Sequence, residues 1–569
     1  MRGDVPFYDD WRRVPTAGLT PAARAAWVRE DWPAVASELV AAAVAGADAG
    51  LLAAAVETDA RTLEVSFLAP FADAIESLPD SAVKDAALAF LTVRAARGDR
   101  GALPAQAAIV ALVDAEPRLA ASVAVGVGMI LLDRARWSEC GWFVGAAREA
   151  IERMRAAGRD ADSVEPLWFS TMALAVLVEW NTYAGDAAFR ELGAALAVPR
   201  ARNLLRGHHA AALVAIAQVH AGRGDFGAAA VSVSRAVPLL DGAPLPQASA
   251  LALLVFVKYR QGHWAEARRS AERLAARASD DDDPWMRSVT ASVAVLAPAT
   301  TGDFALAAQL LHDAELALEV SPTMVAAPLL LHARLTLVIA GNDWSAMLRL
   351  LDAAREPGYR LPYTEHEMRA LQGMALRNAG QLDRYRALVE EWERLPGATE
   401  HPYYWAHRAL LAQLDRDGAR ALEAARTTSR LVSEKDDPLG RTWARIVVGT
   451  IVSHYGDATE GIQSYEAARA ELAEIRADGF VRLCTRIIHD TAAALARATG
   501  DTLAALTTQQ RRVAELVAEG YTSAEVGQIL YLSKKTIDFH VANILSRLGL
   551  ASRRELKRRL SPGPDSARG

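Results

Sequence analysis

A turn sequence that recurs at a near-constant interval constrains this chain more than any other feature. "GRGDFGAAA", "RQGHWAEAR", "TTGDFALAA", "AGNDWSAML" and "AGQLDRYRA" each set an apolar residue just after a short polar turn, at Phe226, Trp264, Phe304, Trp344 and Leu382. The intervals are 38, 40, 40 and 38 residues, with weaker copies at 183–191, "RDGARALEA" and "YGDATEGIQ". A period near 39 with turns between two helical stretches is the mark of stacked helical hairpins. The glycine ends one helix, and the following Asp or polar residue caps the next. The apolar residue one step inside the second helix is expected to fill the contact between neighbouring hairpins.

With 569 residues, 51% of them hydrophobic and 23% charged, the chain is globular in composition and too long for one ordinary core. Ala, Leu, Arg and Glu dominate residues 1–500 and β-branched alternation is scarce, so an all-α fold is expected. Residues 101–500 carry the repeat; residues 1–100 show no clear copy and are expected to form a helical N-terminal cap. The turn and small-residue pattern resembles tetratricopeptide repeats with lengthened helices, which implies an α-solenoid and a binding platform. The aromatic clusters at 168–170, 178–183 and 401–408 need no ligand, because rings at repeat junctions build core. "SDDDDP" (279–284) lacks the spacing of a calcium loop and reads as a solvated loop.

Enzyme signatures do not emerge. None of the six lysines follows a glycine, so there is no phosphate-binding loop, and "GVGMIL" lacks the third glycine of a dinucleotide fingerprint. No His-Glu-x-x-His or Gly-x-Ser-x-Gly occurs, and the adjacent His208 and His209 would face different directions on a helix. Cys140 and Cys484, the two cysteines, share no ligand-like spacing, so neither a metal site nor a disulfide framework is expected. The N-terminus lacks a signal-peptide core, and the longest charge-free apolar run, Leu119 to Leu132, is short of a bilayer span. A cytoplasmic protein without cofactor, metal or membrane partner is expected.

The last segment differs in charge and in local pattern. Residues 506–569 hold eleven Lys/Arg against six Asp/Glu, whereas the rest of the chain holds 52 against 63. Such asymmetry suggests an anionic partner for the tail domain alone. "TTQQ" sets Thr507 as an N-cap with Gln510 three residues on; "TSAE" and "SRRE" repeat the device with Thr522/Glu525 and Ser552/Glu555. Ser533 caps a further helix whose apolar residues, Ile537, Val541, Ile544, Leu545 and Leu548, share one face. Two short helices joined by "YLS", the second basic at its start, make a helix-turn-helix.

Residues 506–560 resemble the LuxR-type DNA-binding domain along its length. Leu506-Thr507, Ala518-x-Gly520, Glu525-Val526-Gly527, Leu532-Ser533, Thr536-Ile537, His540, Ile544, Arg547-Leu548-Gly549-Leu550 and Arg553 carry the match. The resemblance implies a four-helix domain at 503–562, followed by a disordered tail at 563–569. It implies DNA contacts from Thr522, Ser523, Ser533, Lys534, Lys535, Thr536, Asp538, Phe539, His540, Ala542, Asn543, Arg547 and Arg553. Lys534, Lys535 and Thr536 would reach phosphates, His540 and Arg547 would add backbone contacts, and Asp538, Phe539, Ala542 and Asn543 would face the groove. For His540 a structural hydrogen bond inside the domain is the equal alternative.

Asp538 stands where the family often has a cation, and Ser523 where it often has Asn. An aspartate can accept from cytosine N4, and Phe539 and Ala542 can pack on thymine methyls, so altered base choice is expected. Helical repeats ending in such a domain are similar to the large ATP-binding LuxR-type regulators, although this sequence shows no nucleotide-binding module. The expected function is a sequence-specific transcription regulator that binds double-stranded DNA as a homodimer while its repeats sense a small molecule or protein. The competing expectation is a non-enzymatic interaction scaffold whose helix-turn-helix has degenerated or been repurposed.

Overall fold

A computed structural model describes residues 21–22, 32–46, 50–53, 55–56, 68–95, 102–134, 136–159, 161–182, 184–198, 206–240, 244–278, 284–321, 323–341, 343–353, 364–432, 438–499, 506, 508–530, 532–548 and 550–560. Thr507 and Gly549, most of the "SDDDDP" loop and the 563–569 tail lie outside the described residues. Among the described residues the fold is all-α, with no strand. The chain divides into two compact units, Met1–Leu388 and Val389–Gly569.

Most helices in each unit pack on the next along the chain and often on the next but one, as stacked hairpins require. The turns between them are built as their residues dictate. After the helix Arg206–Gly222, Gly224 takes φ 79° and the amide of Asp225 donates to the carbonyl of His220 at 3.0 Å. That bond closes the outgoing helix, and the Asp225 carboxylate accepts from the amide of Ala228 at 3.0 Å to open the helix Phe226–Ala236. Asp303, Asp343 and Asp417 cap their helices in the same way, and Asp457 caps its own by accepting from the amide two residues on, that of Thr459. Each cap contributes about 1 kcal/mol. Where "RDG" replaces "GDF", Arg416 carries the left-handed φ, at 58°.

The expected anchor residues divide. Phe226 is fully buried and Trp264, Phe304 and Trp344 are half-buried, whereas Leu382 is 44% exposed and does not fill the junction. In "AGQLDRYRA" that role passes one turn on to Tyr385, which is fully buried, because the charged Asp383 and Arg384 between them face water. The 401–408 cluster is core as its composition suggests. Tyr404 and His407 are buried against Trp392, and His407 also lies 5.2 Å from the Trp443 ring.

Two polar ties cross the first unit. Arg260 and Glu367, both nearly inaccessible, form an ion pair, and the Arg260 guanidinium sits 4.4 Å from the centre of the Phe226 ring. Glu367 also completes a capping box with Thr364, accepting from its amide at 2.7 Å. The second tie joins Asp133 to the amide of Met324 at 3.1 Å, across 191 residues of sequence. Burial pushes the Asp133 carboxyl up to about 6, against the bonds from Met324 and Trp285 and the charge of Arg134.

No helix among the described residues is long and apolar enough to cross a membrane. Both cysteines are buried free thiols, with burial pushing Cys140 up to about 12 and Cys484 to about 11, so thiolate chemistry is suppressed at both.

Candidate nucleic-acid interface

Four helices end the second unit: α1 (Thr508–Glu519), α2 (Ser523–Leu530), α3 (Lys534–Arg547) and α4 (Arg553–Leu560). Their shared core is Leu506, Val513, Leu516, Val517, Val526, Ile537, Val541, Ile544 and Leu556, flanked by half-buried Leu530, Leu532, Leu545 and Leu548. Gly520 takes φ 108°, and the amide of Tyr521 donates to the carbonyl of Leu516 at 3.1 Å, which stops α1. The Tyr521 side chain itself stays 42% exposed.

The turn between α2 and α3 depends on a missing side chain. A Cβ on Gly527 would lie 2.6 Å from the backbone oxygen of Leu532, closer than a carbon can approach. The amide of Leu532 donates to the carbonyl of Gly527 at 2.8 Å, so the chain doubles back tightly against α2. Thr522 and Glu525 form the expected box: the Thr522 amide donates to the Glu525 carboxylate at 2.7 Å, and the Glu525 amide returns to the Thr522 hydroxyl at 3.4 Å. These bonds, the backbone one first, hold Glu525 below the usual carboxylate range. At α4 the pattern shifts by one residue, with Glu555 accepting from the amide of Ala551 rather than that of Ser552.

Ser533 accepts from the amide of Thr536 at 3.1 Å and opens α3. Burying Ile537, Val541 and Ile544 turns the opposite face outward, and there Lys535, Asp538, Phe539 and Ala542 follow one another at helical spacing, all exposed. Phe539 is 65% exposed, so its ring adds apolar surface to this face beside Ala542. Lys534 and Lys535 stand beside the first amides of α3, so side-chain charge and helix dipole both favour an anion.

The remaining expected positions are spread over this surface and behind it. Thr522, Ser533 and Arg553 are exposed; Thr536, His540 and Asn543 are half-buried; Arg547 lies on α3, its side chain outside the described residues. Ser523 is buried at 3%, and its hydroxyl oxygen accepts from the Arg553 guanidinium. The same guanidinium donates to Asp538 at 3.1 Å. The Ser523 hydroxyl first, then the charges of Arg553 and Lys534, hold the Asp538 carboxyl below its ordinary range, so it is ionised at neutral pH. Sequence reasoning did not foresee this tie of α2, α3 and α4. The Nδ1 atom of His540 is buried and has no partner among the described residues, so the internal hydrogen bond is not made there.

These elements define a helix-turn-helix module. The family of bacterial regulatory proteins of the LuxR type matches residues 504–560, which are therefore a LuxR-type helix-turn-helix domain. Among curated proteins, the transcriptional activator SolR of Ralstonia solanacearum is 44% identical over 50 residues, which are 9% of this chain and 21% of SolR. The transcriptional regulatory protein UhpA of Escherichia coli K12 is 41% identical over 58 residues, 10% of this chain and 30% of UhpA. The chain thus spans less than a third of either relative. Among solved structures, that of the APC/C hetero-tetramer Cut9-Hcn1 aligns over 98% of this chain and 99% of its own, at 11% identity and a TM-score of 0.49.

Proposed function

We propose that this protein is a sequence-specific DNA-binding transcription regulator of the cytoplasm. The 503–562 domain is its DNA-binding part, and the repeats at 101–500 sense a small molecule or protein. The observation that carries the reading is the exposed Lys535–Asp538–Phe539–Ala542 face on a capped, basic-started α3 inside a LuxR-type domain.

In this reading α3 lies in the major groove. Lys534, Lys535 and Thr536 take phosphates, aided by Ser533, Thr522, His540, Arg547 and Arg553, and fix the register without choosing sequence. With Asp538 engaged by Arg553, base choice falls chiefly to Phe539 and Ala542, whose apolar surfaces suit thymine methyls, with Asn543 at the edge. Ser523 acts through Arg553. A homodimer would place two copies of α3 on half-sites about 34 Å apart.

Selection from genomic fragments with the full-length protein, at two salt concentrations, tests this. An enriched motif that survives the higher salt is expected. Binding that vanishes uniformly with salt and enriches nothing would favour the interaction scaffold instead.

A further inference from the structure

In the first unit a cleft of about 80 Å³ lies among the helices Ala161–Thr182, Arg206–Gly222 and Pro244–Arg260 and the start of Ala326–Ala340. Trp137, Trp180, Phe256 and Met324 wall it, and no ionisable side chain lines it. The Trp180 wall is built in: a Cβ on Gly222 would stand 2.2 Å from the indole, and Arg223 lies 5.8 Å from its ring centre. Met324 is held in place by the hydrogen bond its amide donates to the Asp133 carboxylate and by Thr323, which is fully buried and accepts from the amides of Val325 and Ala326.

Gln218 and Ser249 also line the cleft, both half-buried. Among the described residues neither side chain has a hydrogen-bond partner, although each carries a donor and an acceptor. Half-buried polar groups without partners, set in an aromatic wall, are what an orienting edge for a ligand looks like. A charged ligand would lose its water here and gain no counter-charge, so the lining selects a neutral one.

We propose that this cleft binds a small neutral single-ring molecule, its ring against Trp137, Trp180 and Phe256 and its hydroxyl or amide on Gln218 and Ser249. The proposal rests on the sensing role given to the repeats and supplies its site and ligand class. The test is a fluorine NMR titration of full-length protein with 4-fluorophenol, in the absence of DNA.

Saturable broadening is expected with the wild type, at least tenfold weaker with Gln218→Leu, which keeps side-chain bulk and removes the amide. It should be absent with Ser249→Leu, which fills the cleft. Should Ser249→Leu fold poorly, the Gln218→Leu comparison decides alone. Non-saturating partition, or equal affinity in wild type and Gln218→Leu, overturns the proposal. Because no DNA is present, a failed titration leaves the fragment selection readable, and a failed selection leaves the titration readable.

Discussion

Two arginine–carboxylate pairs, one in the repeats and one in the helix-turn-helix, use the same chemistry in opposite surroundings. Arg260 and Glu367 are nearly inaccessible, and Glu367 also caps the helix Glu365–Asn378. Arg553 and Asp538 are roughly half exposed, on a surface that carries Lys534 and Lys535. In the first pair neither charge has water to fall back on, so each depends on the other. In the second, solvent screens the attraction and releases either partner at little cost. A buried pair fixes packing; an exposed pair shapes a surface that a ligand can rearrange.

Breaking the buried side of that comparison should give the largest effect. Arg260→Ala removes the counter-charge of the buried Glu367, whose carboxylate then keeps only the bond from the Thr364 amide among the described residues. It is expected to cost about 3–5 kcal/mol, read as a lower denaturant midpoint. An unchanged midpoint would mean that water reaches Glu367.

Asp133 sharpens the same point through pH. A carboxyl with a higher pKa folded than unfolded binds its proton more tightly in the native state. The contribution of this carboxyl to stability is therefore greatest below about pH 4 and is lost as pH climbs through about 6. Asp133→Asn keeps an acceptor for Met324 and removes the charge. It should stabilise at pH 8 by up to about 3 kcal/mol and far less at pH 4. An equal gain at both pH values would refute the burial account.

Gly527→Val should cost about 1–3 kcal/mol in the terminal domain and abolish DNA binding, since the new side chain meets backbone. Retained DNA binding would show that the turn can open. Smallest in stability is Phe539→Ala, at an exposed site, where melting should not move. Affinity for the selected motif should nonetheless fall about tenfold or more, with nonspecific binding unchanged. Equal losses on both DNAs would remove Phe539 from base choice.

How legible these features were depends on how far their causes reach along the chain. The turns and caps were readable because a cap, its amide and a left-handed residue lie within a few positions of each other, as at Gly224–Asp225–Ala228. The outward face of α3 was readable because burying Ile537, Val541 and Ile544 leaves one direction for Asp538, Phe539 and Ala542. Partners at separations of 15, 107 and 191 residues leave no periodic trace, so the ties Asp538–Arg553, Arg260–Glu367 and Asp133–Met324 were not. Ser523 illustrates the cost: its family position suggested a DNA contact, whereas only the packing of α4 reveals it turned inward.

The most direct test of the interface is the salt dependence of affinity for a selected DNA fragment, compared between wild type and Lys535→Ala. If Lys535 neutralises a phosphate, the slope of log affinity against log salt should shallow by about 0.9 and the preferred sequence should stay the same. A slope unchanged by the substitution would contradict the placement of α3 against the DNA backbone.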